Sequence, residues 1–257
     1  MIISYKHKFV FLHAAKTGGS SIALALYPHL GPDDIIIGTQ QHAKRHGLRP
    51  NRRTLRLALH PSVVALLLKE TISTRDSGKA IDKAVKTYYR RAHGLSSAHA
   101  PPEEVRRFMG PLWDEFHKFA FARNPWDWMV SVYYWRHRRQ PRSEWPEFEA
   151  FVETIRREVK NGEPEGLRLM RSFSMFFDNG KQIVDSIGRF EHMESDFRQI
   201  CQRIGLPTDI RLPVVNKNKL RPPHEYRQHY NDGTRTMVEE LFAVVYDNKT
   251  HELGFEF

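Results

Sequence analysis

Lys8-Phe-Val-Phe-Leu-His-Ala-Ala-Lys-Thr-Gly-Gly-Ser-Ser21 is the stretch that decides the fold. Phe9 to Leu12 is an apolar strand, and a helix-compatible run begins at Ile22. Between them lies a short turn carrying Lys16, Thr17, Gly18, Gly19, Ser20 and Ser21. Strand, glycine-rich turn, helix is how a chain builds a phosphate cradle: backbone N–H groups and a helix N-terminus converge on one point, and a lysine adds a full charge. Gly18 and Gly19 let the backbone approach an anion closely. Ser20 and Ser21 can donate hydroxyl hydrogen bonds or cap the helix. Taken alone, the turn fits an ordinary strand-to-helix connection equally well. It is not a Walker A loop, because its lysine precedes the glycines, and it has no Gly-x-Gly-x-x-Gly spacing, so a Rossmann dinucleotide site is not indicated.

A second block repeats the arrangement. Lys118 to Ala122 is an apolar strand ending at Arg123-Asn124-Pro125, and a helix follows to about Arg138. Proline suits the first helical turn, where no N–H partner is lost. Ser131 lies eight residues beyond Arg123, two turns along, so one helix face can present both to a phosphate. By itself Ser131 is as well explained as a small packing residue, and Trp126, Trp128, Tyr133, Tyr134 and Trp135 read as core or interface aromatics. Two separate anion sites imply a ligand phosphorylated at two places rather than a simple triphosphate.

The remaining elements place these blocks in an α/β fold. Residues 33–92 are basic and largely helical, with helix starts at Pro61 and over Ile81–Arg91. A loop from Gly94 to Pro102 carries His99, and Glu103–Met109 is a short helix. After a proline-rich linker, an amphipathic helix runs from Glu147 to Lys160 and is ended by Gly162, Pro164 and Gly166. Gln182–Phe190 holds a third strand, Met193–Ile204 a helix closed by Gly205, Val215–His224 a basic loop, and Thr234–Tyr246 the last helix. Strands interleaved with helices argue for a P-loop-like parallel sheet flanked by helices, with ligands beyond the carboxyl ends of its strands.

Composition narrows the partners. The 257 residues suit one domain, 1–257, with helical insertions near 33–92 and 139–180. Forty basic residues against thirty acidic give a formal charge of +10, which favours a nucleotide, an acidic glycan, a nucleic acid or a membrane surface. The runs Lys44–Arg56, Arg136–Arg142 and Arg156–Lys160 read as solvated helix faces. The single cysteine, Cys201, excludes an internal disulfide framework and reads as a buried, inert thiol. The longest apolar run, Val63 to Leu68, falls far short of the ~20 residues of a membrane span, and no secretory pattern precedes the first turn. The expectation is a cytoplasmic protein.

Together the two blocks resemble the sulfotransferases, in particular the carbohydrate branch that includes the heparan sulfate and chondroitin enzymes. His13-Ala14-Ala15-Lys16-Thr17-Gly18-Gly19-Ser20-Ser21 is similar to that family's 5′-phosphosulfate loop, His-x-Pro-Lys-Thr-Gly-Gly-Thr-Ser. Arg123-Asn124-Pro125 with Ser131 is similar to its 3′-phosphate motif. Ile187-Gly-Arg-Phe-Glu-His-Met-Glu-Ser-Asp-Phe resembles the segment after its later core strand, and the stretch from Asn216 through Tyr226, Tyr230 and Asp247 to Gly254-Phe-Glu-Phe its C-terminal pattern. The resemblance is weak over 30–90 and 139–180. Two positions depart from the pattern: Ala15 replaces the proline before the lysine, and Trp128 stands where an arginine is common.

The resemblance implies the donor 3′-phosphoadenosine 5′-phosphosulfate (PAPS), a hydroxyl acceptor on a glycan or glycoconjugate, and neither metal nor nucleic-acid partner. Lys16 would stabilise the bridging oxygen as the S–O bond breaks; Lys16, Thr17, Gly18, Gly19, Ser20 and Ser21 would hold the 5′-phosphate, and Arg123 and Ser131 the 3′-phosphate. For the general base, His99 is the candidate and an ordinary surface-loop histidine is the equal alternative; His93 is the fallback, and Glu103 and Glu104 have a structural reason to sit at a helix N-terminus. The Arg221 and Arg227 region reads as a solvated loop, or as one that closes over the donor. The competing readings are a P-loop nucleotide kinase or NTPase, and a non-catalytic polyanion-binding module.

Overall fold

The structure is a computed structural model that describes residues 1–170, 175–178, 181–215, 226–245 and 253–257. Its strands are β1 (Ile2–Ser4), β2 (Phe9–Leu12), β3 (Ile35–Ile36), β4 (His117–Ala122), β5 (Phe177–Asp178), β6 (Lys181–Gln182) and β7 (Ser186–Arg189). Five of them form one sheet in the order β3-β1-β2-β4-β7, while β5 and β6 make a separate two-stranded ribbon. β2, β4 and β7 run parallel, with Leu12 opposite Ala120 and Ala122 opposite Arg189. The loops that leave these three strands are therefore neighbours at one edge, where ligands of open α/β sheets sit.

The helices are α1 (Gly19–Leu26), α2 (Gln40–Arg45), α3 (Arg52–Ala58), α4 (Pro61–Thr74), α5 (Ser77–His93), α6 (Pro102–Met109), α7 (Leu112–Glu115), α8 (Pro125–His137), α9 (Phe148–Lys160), α10 (Pro164–Met170), α11 (Met193–Arg203) and α12 (Asp232–Val245). They cover both faces of the sheet. Phe9 and Phe11 of β2 pack with Ile22, Leu26, Phe119, Phe121, Phe197 and Ile200, whereas Val10 and Leu12 pack with Ala120, Trp128, Val130 and Phe242. A strand buried on both faces reads as a continuous apolar run, and Phe-Val-Phe-Leu is such a run.

The parallel sheet expected from the sequence is present, but its β2 edge continues antiparallel. β1 pairs with β2 through Ile2–Phe11 and Ser4–Phe9, and β3 pairs with β1. Segment 33–92 thus supplies an edge strand as well as helices. The expected strand over Gln182–Phe190 divides, with β6 at its start and β7 at its end. Gly166 does not end a helix: it lies inside α10, where a Cβ would meet Glu158 Cβ at 2.7 Å and Val159 N at 2.9 Å, so it is a close-approach residue between α10 and α9. Cys201 is fully buried, and burial pushes its thiol up to about 11, in keeping with the inert thiol expected. The basic loop beyond Val215, with Arg221, and also Asn216, Tyr246, Asp247 and Glu252 lie outside the described residues.

One buried carboxylate fixes the antiparallel edge. Asp34 accepts hydrogen bonds from Ser4 Oγ (2.6 Å), Tyr5 N (2.8 Å), Lys6 N (3.2 Å) and Gly31 N (2.7 Å), so it holds the end of β1 against the chain entering β3. Asp34→Ala leaves these donors without their acceptor. The expected loss is about 3 kcal/mol, read as a fall of roughly 5–10 °C in the melting temperature. An unchanged melting temperature would contradict this role.

Candidate active site

The loop after β2 is held in a specific shape. Lys16 has φ 65° and Gly18 φ 78°, both left-handed. For lysine this conformation costs about 1–2 kcal/mol, so the surroundings must impose it. Two hydrogen bonds on successive carbonyls do so: Trp128 Nε1 donates to Ala15 O at 2.9 Å, and Arg123 Nη1 donates to Lys16 O at 2.8 Å. Gly18 is the N-cap of α1, and its carbonyl accepts from Ser21 N at 2.9 Å. The cradle is packed from below. A Cβ on Gly18 would lie 2.1 Å from Met193 Cε, and one on Gly19 would lie 2.0 Å from the His13 ring. Thr17 is buried and its hydroxyl donates to Ala14 O at 3.0 Å, which leaves its backbone as the part that can face a ligand. Ser21 Oγ accepts from Val215 N at 3.4 Å, tying the start of α1 to the segment after α11.

Arg123 follows β4 and reaches across to the first loop. It is buried, its Nε donates to Asp127 Oδ2 at 2.6 Å, and its guanidinium lies 4.0 Å over the Phe190 ring. Asn124 caps α8 by accepting from Trp126 N and Asp127 N. Asn124 N donates to Glu191 Oε1 and Asn124 Nδ2 to Glu256 O, each at 2.8 Å. The turn after β7 and the C-terminal residues therefore brace the same corner. Ser131 is buried in α8. It lies between Trp128, which holds Ala15 O, and Trp135, whose ring is 5.9 Å from Lys16 Nζ. Residues three and four apart share a helix face, so Ser131 belongs to the face turned to the loop. A concavity lined by Phe190, Met193, Ser195 and Arg198 opens beside Gly18.

His99 sits on the loop before α6 and is brought to the end of β2. Its Nδ1 is 2.6 Å from His13 O, and its ring is 4.5 Å from the His13 ring. A carbonyl only accepts, so Nδ1 carries the proton and Nε2 holds the lone pair. Desolvation by the packed loop lowers His99 from 6.5 to about 4. The ring keeps an exposed edge, and the imidazole is neutral at pH 7. His13 is buried and is also lowered well below 6.5, by burial first and then by His99, and its Nδ1 has no hydrogen-bond partner. His93 is placed elsewhere, its ring against Tyr88, Tyr89 and Phe108. Glu104 accepts from Ser96 N at 2.7 Å and braces the His99 loop, while Glu103 lies exposed in the first turn of α6. Arg227 lies over the Tyr226 and Phe257 rings.

Several residues that brace the candidate site carry no role in the sequence reading. Asp127 is four residues from Arg123, a spacing that predicts an ion pair on a helix. His13, Phe190 and Trp135 carry no such local signal; their roles come from the neighbouring strand ends. The two departures from the family pattern, Ala15 and Trp128, meet in one hydrogen bond. Among the described residues, no group of three His, Cys, Asp or Glu could hold a metal ion.

A family model described as "Sulfotransferase family" matches residues 1–253. An uncharacterized protein of Archaeoglobus fulgidus is 32% identical over 118 residues, which is 44% of this chain and 89% of that protein. No solved structure matches the chain.

The histidine pair makes stability pH-dependent. Both rings have lowered pKa values in the fold, so below pH 6.5 the unfolded chain binds protons that the folded chain refuses. Their stabilising contribution is complete above pH 6.5 and drains as the pH falls toward about 4. Urea denaturation at pH 7.5 and pH ~5 is expected to show the wild type weakened at the lower pH, and His99→Gln weakened less. Equal wild-type stability at both values would contradict the assignment.

Proposed function

The chain belongs to the sulfotransferase family, and we propose that it transfers a sulfuryl group from PAPS to a hydroxyl of a carbohydrate or glycoconjugate. The observation that carries this reading is the 2.8 Å hydrogen bond from Arg123 to the carbonyl of Lys16. It brings two cationic strand ends together, which supports a ligand that bears phosphate at both ends of a nucleoside. On this reading the whole chain, 1–257, is one catalytic domain, and the helical segments near 33–92 and 139–180 shape its acceptor side.

The residues fit the donor by the chemistry of their groups. The left-handed Lys16 and Gly18 turn the loop backbone toward the start of α1, where the helix N-terminus favours an anion. Ser20 and Ser21 add hydroxyls there, and Thr17, Gly18 and Gly19 their backbone N–H groups. The 3′-phosphate goes to Arg123 and Ser131, which fixes the donor's register along α8. PAPS supplies a sulfur from which the phosphate oxygen can depart. The ammonium of Lys16 neutralises charge on that bridging oxygen as the S–O bond lengthens. His99 Nε2 takes the acceptor's proton as the acceptor oxygen bonds to sulfur. With its pKa lowered to about 4, His99 is a weak base that is always in its accepting form at neutral pH. Most of the acceleration then rests on positioning and on Lys16.

The test is transfer of radiolabelled sulfate from PAPS to a panel of hydroxyl-bearing glycans. Lys16→Ala is expected to lower kcat by about 10²–10³. His99→Ala is expected to lower kcat by about 10²–10⁴ with the affinity for 3′-phosphoadenosine 5′-phosphate unchanged. Full activity in Lys16→Ala, or magnesium-dependent turnover of ATP in place of sulfate transfer, would overturn the reading. Full activity in His99→Ala would remove His99 as the base.

A further inference from the structure

Most of the net charge of the chain lies outside the ends of β2 and β4. Residues 52–93 hold ten lysines and arginines against three acids, a net +7 of the total +10. All three acids are engaged: Glu70 pairs with Lys83 at 2.6 Å, Asp76 caps α5, and Asp82 accepts from Gln40 N and Gln41 N. The same segment exposes large aliphatic side chains. Val63 of α4 is buried, whereas Val64, Leu68 and Ile72, spaced by four residues, form an exposed stripe, with Ile72 79% and Leu68 63% exposed. Along α3 and its C-cap Leu59, exposed Leu55 and Leu59 alternate with exposed Arg56 and with Arg52, which pairs with Asp33. Lys69 and Arg75 are exposed at the side and end of the α4 stripe.

We propose that this α3–α4 face rests on an anionic lipid surface. An apolar stripe edged by lysine and arginine is what an interfacial helix needs: the aliphatics enter the acyl boundary and the cations meet acidic headgroups. No described helix is long and apolar enough to cross a membrane, so the face lies on the bilayer rather than spanning it. A second copy of the chain is a poorer occupant, because it would bring two faces of the same strong charge together. A nucleic acid would use the cations but gives no reason for five exposed aliphatics. The inference does not depend on the sulfuryl-transfer reading, since it uses none of the residues at the ends of β2 and β4.

Co-sedimentation of the full chain with vesicles tests it, using phosphatidylcholine alone and phosphatidylcholine with about 30% phosphatidylserine. The wild type is expected to bind the anionic vesicles and not the neutral ones, with binding weakened as salt rises from about 0.1 to 0.5 M. Leu68→Glu/Ile72→Glu and Leu59→Ser/Ile72→Ser are each expected to lose roughly tenfold or more in affinity. The serine variant changes no charge, so its loss reports insertion rather than repulsion. No binding by the wild type, or undiminished binding by the serine variant, would overturn the proposal. So would a concentration-dependent wild-type dimer in analytical ultracentrifugation that Leu68→Glu/Ile72→Glu dissolves, which would assign the face to a second copy.

Discussion

A buried guanidinium needs partners on every side, because an unpaired charge in a protein interior costs several kcal/mol. Arg123 meets that need with three different parts of the chain: the Asp127 carboxylate one turn along α8, the Lys16 carbonyl in the loop after β2, and the Phe190 ring after β7. These contacts come from the carboxyl ends of three adjacent parallel strands. The arginine is therefore both the seam of the site and its proposed 3′-phosphate ligand. Sheet order makes this possible. With β4 between β2 and β7, the residue leaving the central strand is the one that can touch both neighbours.

The first loop depends on that seam. Lys16 holds a left-handed backbone that lysine does not favour, and its carbonyl and that of Ala15 are each fixed by a donor from the Arg123 to Trp128 stretch. Where relatives by resemblance carry a proline before the lysine, this chain carries alanine, and the Trp128 indole holds that alanine's carbonyl. A rigid ring is thus replaced by a hydrogen bond from the second block. Behind the loop, the His13 ring fills the space over Gly19 and stacks on Phe11, while His99 reaches His13 O. The proposed base is attached to the same backbone as the proposed leaving-group catalyst.

What the sequence made legible follows from locality. The strand at Phe9–Leu12, the turn and α1 are continuous in the chain, and so are the strand, cap and helix at Lys118–His137; each unit announces itself through apolar runs, glycines and a proline at a helix start. β1 and β3 were hidden because three and two residues give no periodicity. They exist through pairing and through Asp34, which gathers donors from distant positions. Gly166 reads as a stop in the sequence because a glycine that ends a helix and one that lets two helices touch look alike without the partner helix. Lys16 and Arg123 were singled out individually, whereas their hydrogen bond, the Phe190 shelf and the His13–His99 pair belong to the tertiary fold alone. The least legible parts are 30–90 and 139–180, where the resemblance is weakest and no motif marks a role.

The central claim is that two coupled cationic sites read the two phosphates of one nucleotide. It is tested most directly by calorimetry with 3′-phosphoadenosine 5′-phosphate and with adenosine 5′-monophosphate, on the wild type and on Arg123→Lys. The account predicts that the wild type prefers the bisphosphate by about tenfold to a hundredfold, one charge-assisted contact of roughly 1.5–3 kcal/mol, and that Arg123→Lys binds the two ligands nearly alike. Equal affinity of the wild type for both nucleotides would contradict it.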